Sequence, residues 1–259
     1  MDRIRVVVAG ATGRVGREIV RAVARERDLQ LVGAVARVGG SDAGEEAGIG
    51  PLGVRVESSL QAVLDRTRAD VLVDFTRAEV AREHVLVALE HGVRPVVGTT
   101  GLSPGDLREV ETEARRRGLG GAFIPNFALG AMLQMRFAEQ AARVFPQVEI
   151  IELHHEAKVD RPSGTALRLA QRLEAAGARA PVPIHSVRVP GLVAHHEIIF
   201  GGLGQTLTLR HDSIGRESFV PGVLLVIRKA IHLDRVVFDL EDLVSVNQFG
   251  KTDSGNPPS

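Results

Sequence analysis

Residues 152–166 gather side chains that handle protons and anions: Glu152, His154, His155, Glu156, Lys158 and Asp160, followed by Pro162-Ser163-Gly164-Thr165. An imidazole gives or takes a proton near neutral pH, and a Lys ammonium is a compact cation with three donors. A Ser-Gly-Thr helix opening leaves N–H groups around Gly164 and Thr165 that suit a carboxylate. Only three of the 32 basic residues are Lys (158, 229 and 251), so Arg is written almost wherever charge alone suffices. A Lys inside this loop therefore points to chemistry that a guanidinium cannot do, such as releasing a proton.

A second constellation stands at the N-terminus. The apolar run 6–9 leads into Gly10-Ala11-Thr12-Gly13-Arg14-Val15-Gly16, the order strand, glycine turn, helix that a dinucleotide site requires. Gly10 permits the sharp turn, Gly13 close approach to a pyrophosphate, and Gly16 close packing of helix on strand. The spacing is G-x-x-G-x-x-G, where G-x-G-x-x-G is commoner. An acidic ribose clamp is expected near position 36, which holds Ala36 instead; Arg37 follows and suits a 2′-phosphate. NADPH is therefore expected to be accepted at least as well as NADH. Gly98-Thr99-Thr100-Gly101 ends a later strand, at the sheet edge where open α/β sheets bind ligands.

These groups need elements to hold them. Strands are predicted over 6–9, 31–35, 71–75, 95–97 and 122–125, and helices over 14–27, 60–66, 79–91 and 104–117, the last opened by Ser103 and Pro104. That alternation predicts an N-terminal Rossmann-type, doubly wound parallel sheet. Beyond Asn126 the pattern changes: a helix over 130–144, a strand over 148–154, a helix over 165–175, then strands over 184–189, 196–200 and 206–209 without helices between them. A second α+β domain on a mixed or antiparallel sheet follows. The expected division is 1–126 plus about 217–249 for the dinucleotide domain, with 221–230 a helix returning to it. Residues 127–216 form the second domain, and 250–259 a flexible tail.

Composition narrows the partners. Lys plus Arg equals Asp plus Glu at 32 each, and Trp and Tyr are absent, which argues against nucleic acid. Without Cys there is no thiolate chemistry and no Cys-ligated metal, and no metal is expected. No apolar run has the length of a membrane span, and the first residues lack a secretory pattern, so a cytoplasmic protein is expected. The residues themselves leave two other readings open. One is a different Rossmann-type NAD(P)-dependent oxidoreductase acting on a small carboxylate, such as an amino-acid dehydrogenase; the other is a dinucleotide-sensing protein without turnover.

Taken together, Gly10 to Arg17, Gly98 to Gly101, Asn126-Phe127, the string from Glu152 to Ala166, and His211 to Arg216 with Phe219 and Gly222 resemble the dihydrodipicolinate reductase family of lysine and diaminopimelate biosynthesis. The resemblance runs from Arg5 to about Asn247, and the His-His-x-x-Lys-x-Asp-x-Pro-Ser-Gly-Thr-Ala string is its most specific part. It implies reduction of 4-hydroxy-tetrahydrodipicolinate to tetrahydrodipicolinate with NADPH or NADH, the nicotinamide lying in a cleft between domains. By resemblance, His154 and Lys158 are catalytic, while His155, Gly164 and Thr165 hold the dicarboxylate. Gly10, Ala11, Thr12, Gly13, Arg14, Val15, Gly98, Thr99, Thr100, Ile124, Pro125, Asn126 and Phe127 contact the cofactor, and the resemblance makes 127–216 the substrate-binding and oligomerisation domain of a homotetramer. Departures from the family pattern are Ala36, Pro190, Ala194 and Gln205; the last three are expected to sit away from the His-Lys loop.

Overall fold

A computed structural model of the chain describes residues 2–244; the predicted tail over 250–259 lies outside the described residues. In chain order the elements are β1 (Ile4–Ala9), α1 (Arg14–Arg25), β2 (Leu29–Val35), α2 (Ala43–Ala47), β3 (Val56–Glu57), α3 (Leu60–Arg66), β4 (Val71–Asp74), α4 (Ala78–Glu90), β5 (Arg94–Val97), α5 (Pro104–Arg117) and β6 (Gly121–Phe123). There follow α6 (Leu129–Ala142), β7 (Gln147–His154), α7 (Gly164–Ala176), β8 (Ile184–Arg188), β9 (Ala194–Gly202), β10 (Gln205–Ser213), α8 (Val220–Ala230) and β11 (Val236–Val237). The chain divides into two compact units, one of residues 2–127 and 219–244, the other of 128–218.

The first unit is a sheet of seven strands in the order β11-β6-β5-β4-β1-β2-β3, parallel at every pairing. Its central strands are continuous apolar runs, Val6 to Val8 and Val71 to Val73, with no exposed surface. That is the signature of strands covered on both faces by helices. Chain direction across the sheet reverses between β1 and β4, the switch point of a doubly wound fold. Ser103 and Asp106 form a capping box that opens α5, with Pro104 in its first turn. Three short elements were not foreseen: α2, β3 and β11 carry too few residues to show a period.

In the second unit a sheet of four strands runs β10-β9-β7-β8. It is mixed, since β7 pairs with β8 in parallel and with β9 antiparallel, while β9 and β10 form an antiparallel hairpin. Ile150, Ile198 and Phe200 meet Ala138, Leu169 and Leu173 in one buried cluster, so α6 and α7 cover one face of this sheet. Strands β9 and β10 are nine residues each and extend past the predicted 196–200 and 206–209, because the pairing continues from Ala194 and Ser213 to the turn at Leu203-Gly204.

Candidate active site

At the switch point the chain leaves β1 through Gly10, whose φ of +80° and whose Cα, close enough to Phe75 that a Cβ would lie 2.6 Å from its carbonyl oxygen, admit only glycine. A Cβ at Gly16 would come within 2.0 Å of the Gly10 carbonyl oxygen, so α1 lies directly on the turn. Gly13 caps α1 with no side-chain hydrogen bond, which leaves the first N–H groups of the helix for an anion. This bare backbone cradle fits a pyrophosphate. Two cavities flank it. One of about 460 Å³ is bordered by Gly10, Thr12, Gly13, Ala36, Arg37, Ser58, Arg77 and His84. The other, of about 610 Å³, is bordered by Gly13, Arg14, Val15, Arg77 and the turn Gly98 to Gly101. Phe75 and Thr76 border both.

Beneath them Asp74, the last residue of β4, is wholly buried. Its carboxylate accepts from the Thr76 N–H at 2.9 Å, the Thr76 hydroxyl at 2.7 Å and the Thr99 hydroxyl at 2.9 Å, and pairs with His84 Nδ1 at 2.7 Å. Two loops that border the cavities are thus tied to one strand end.

The second unit builds its site on β7. Glu152 and His154 stand two residues apart, so they project from the same face of the strand. The side chain of Glu152 is fully buried, and Arg188 on the neighbouring β8 is 1% exposed. Arg188 Nη2 and Nη1 donate to the two carboxylate oxygens of Glu152 at 2.6 and 2.8 Å, a bidentate pair. The same carboxylate pairs with His154 Nδ1 and accepts from the Ser163 N–H at 3.3 Å. Burial pushes the Glu152 carboxyl up, but Arg188, Ser186 and His154 together hold it below the usual carboxylate range. For His154, burial outweighs the attraction of Glu152 and holds the imidazole below its ordinary value, so it is neutral at pH 7.

Beyond the strand, Lys158 Nζ donates to Asp160 at 2.8 Å, a contact that holds the Asp160 carboxyl below its usual range. Ser163 caps α7 by accepting from the Ala166 N–H, which leaves Gly164 exposed and Thr165 half-buried at the helix opening. His155 is exposed. Behind His154 lies His196 of β9, ring against ring at 5.6 Å between centroids and edge-on. Among the described residues its buried Nε2 has no hydrogen-bond partner, and burial lowers its titration to about 4.

The predicted residues fall into these two groups with exceptions. Gly10, Thr12, Gly13, Arg14, Val15, Arg37, Gly98, Thr99 and Thr100 border the cavities of the first unit, whereas Ala11, Ile124, Pro125, Asn126 and Phe127 border neither. Ile124 and Phe127 are core residues, Phe127 packing on Phe75 at 5.5 Å between ring centroids. His154, Lys158, Gly164 and Thr165 share one strand end and loop. One expectation needs correction: Ala194 does not sit away from the His-Lys loop, because it is the register partner of His154 across β7 and β9. Pro190 is close by as well, since the preceding Val189 N–H bonds the His154 carbonyl. Gln205 does lie at the far end of the hairpin, paired with Gly202. The sequence reading gave no role to Asp74, Thr76, Arg77 or His84, although the rule that ligands bind at strand C-terminal edges marks the end of β4. It also missed Arg188 and His196, for which no local signal exists.

A doubly wound parallel sheet with a glycine cradle at its switch point, followed by a mixed-sheet unit carrying a His-Lys loop, defines an oxidoreductase of the two-domain, dinucleotide-binding class. Residues 4–127 match the family model described as dihydrodipicolinate reductase, N-terminus, and residues 130–244 the model for its C-terminus. This chain belongs to the dihydrodipicolinate reductase family. It is 54% identical to the 4-hydroxy-tetrahydrodipicolinate reductase of Symbiobacterium thermophilum, over 94% of this chain and 98% of that protein. To the same enzyme of Moorella thermoacetica it is 47% identical, over 93% and 98% of the two chains. Among solved structures it is similar to a dipicolinate-bound dihydrodipicolinate reductase from Paenisporosarcina sp. TG-14, with TM-score 0.82 and 38% identity over 93% of this chain and 100% of that one. An amine dehydrogenase from Mycobacterium smegmatis, at TM-score 0.63 and 18% identity over 90% and 95%, shares the fold alone.

Proposed function

We propose that this chain reduces 4-hydroxy-tetrahydrodipicolinate to tetrahydrodipicolinate with NADPH or NADH. The carrying observation is the loop of the second unit, where His154, Lys158 and the opening of α7 are anchored on one buried ion pair. Substrate and product differ by hydrogen in place of hydroxyl, so a hydride and a proton enter and water leaves. The nicotinamide, when bound, supplies the hydride. Gly10, Thr12, Gly13, Arg14 and Val15 would hold its pyrophosphate, with the 98–100 turn at the second cavity. Arg37, beside Arg77 in the cavity that also holds Ala36, supports recognition of a 2′-phosphate.

The dicarboxylate needs cationic and N–H partners. Lys158, His155 and the N–H groups at Gly164 and Thr165 are the groups we assign to it. Lys158 can exchange its Asp160 partner for a substrate carboxylate, and His154 is the group we assign to exchange the proton that the reaction consumes. The same reading carries the family's homotetrameric assembly and a cytoplasmic site of action. Among the described residues no helix is long and apolar enough to cross a membrane.

The test is NADPH consumption, followed by absorbance, with substrate made freshly from pyruvate and aspartate semialdehyde, and identification of the product. Turnover that needs both precursors and yields tetrahydrodipicolinate is expected. Cofactor oxidation that ignores the substrate, or a different product, contradicts the assignment.

A further inference from the structure

Glu152 makes more contacts than an ion pair requires. Both its oxygens are engaged: Oε1 accepts from Arg188 Nη2 and the Ser163 N–H, Oε2 from Arg188 Nη1 and His154 Nδ1. An ionised carboxylate only accepts hydrogen bonds, so the hydrogen in the contact with His154 sits on Nδ1. A neutral imidazole has one N–H, and with that N–H turned inward the lone pair is left on Nε2. Among the described residues His154 Nε2 has no hydrogen-bond partner, and it is not sealed from solvent as His196 Nε2 is. The same guanidinium reaches the loop. Arg188 donates from Nε to the Lys158 carbonyl at 3.3 Å and from Nη2 to the Asp160 carbonyl at 2.7 Å. One buried pair thus fixes the orientation of the imidazole and the course of the backbone that carries Lys158.

We propose that Glu152, paired with Arg188, is the positioning residue for His154, fixing the Nδ1–H tautomer so that Nε2 is the nitrogen that exchanges the proton. The proposal rests on the reading above that His154 is the proton-transfer group. The charged and titratable groups that face His154 are Glu152 on its own strand, Arg188 on β8, Lys158 on the following loop and His196 on β9. The α6 helix contributes the uncharged Gln134, whose amide bonds the His196 carbonyl at 2.7 Å. Glu152 is the only anion in that set, so its removal disfavours the imidazolium.

The decisive readout is the His154 tautomer, by long-range ¹H–¹⁵N correlation on histidine-labelled protein, the resonance being assigned with His154→Gln. Wild type is expected to show neutral His154 with its hydrogen on Nδ1. Glu152→Gln leaves the Arg188 charge buried alone, so Glu152→Leu/Arg188→Met, which removes both charges, is measured beside it. In either folded variant the Nε2–H form is expected to gain, the His154 titration to move to lower pH, and kcat to fall about 100-fold with KM much less affected. A wild-type spectrum with the hydrogen on Nε2 overturns the proposal even if neither variant folds, and so does a folded variant whose tautomer is unchanged. A chain that shows the Nδ1–H form yet reduces nothing overturns the functional reading instead.

Discussion

Asp74 and Glu152 are both wholly buried carboxylates at strand ends, one in each unit, but their partners differ in kind. Asp74 is satisfied by two hydroxyls, a backbone N–H and an imidazole, all from residues within 25 positions of it. Glu152 is satisfied chiefly by a guanidinium 36 residues away, which also reaches the loop, while its own carboxylate holds an imidazole. The contrast teaches how each site is kept in shape. The first unit offers backbone, which needs glycines and a local tie. The second offers side chains whose charge and tautomer matter, and these need a second charge at their back.

If that contrast is right, the largest stability loss comes from breaking the distant pair. Arg188→Met leaves Glu152 buried without its counter-charge and should cost about 3–5 kcal/mol, read by urea unfolding. A loss near zero would mean that Glu152 takes up a proton or finds solvent, and the contrast fails. Next is Lys158→Ala, expected to lower kcat about 100-fold with unfolding unchanged, because its Asp160 pairing is partly exposed. Turnover near wild type would remove Lys158 from the chemistry.

Asp74→Asn should act on the other side only. It keeps an acceptor for Thr76 and Thr99, and is expected to raise the KM for the dinucleotide about tenfold at nearly constant kcat. An equal loss in kcat would show that the two sites are not separately maintained. A smaller effect is expected from Arg37→Ala, a loss of several-fold in kcat/KM for NADPH with NADH little changed; equal change for both cofactors would place Arg37 outside the site.

Histidines of the two units also answer pH with opposite sign. In the second unit burial holds His154, His196 and His211 below the ordinary 6.5. The unfolded chain then binds protons first as pH falls, so their contribution is complete above 6.5 and is lost towards about 4, the value for His196. In the first unit the Val87 carbonyl, and after it Asp65, raise His91, whose contribution is present below 6.5 and is lost as pH rises above it. Hydrogen exchange, corrected for its intrinsic pH dependence, should show the second unit loosening between pH 7 and pH 5 while amides around His91 do not; the reverse pattern contradicts the assignment of buried neutral imidazoles.

Legibility in the sequence followed the same line. The glycine cradle could be read because its strand, turn and helix are local in sequence, although Phe75, which presses on Gly10, comes from a distant strand end; the parallel sheet could be read because its buried strands are continuous apolar runs. The His-Lys loop was legible as chemistry, but its support was not: nothing near position 188 announces a partner for Glu152, and only the parallel pairing of β7 with β8 brings them together. His196 was likewise hidden, since register across β9 decides that it lies beside Glu152. Ala194 was misplaced for the same reason, a strand that began earlier than its apolar pattern suggested.

The most direct test of separately maintained sites is a calorimetric titration of Lys158→Ala and wild type with dipicolinate in the presence of NADPH, and of both with NADPH alone. The account predicts that dipicolinate binding falls at least tenfold in the variant, about 1.4 kcal/mol or more, while NADPH binding holds. Unchanged dipicolinate binding, or parallel losses for both ligands, would contradict it.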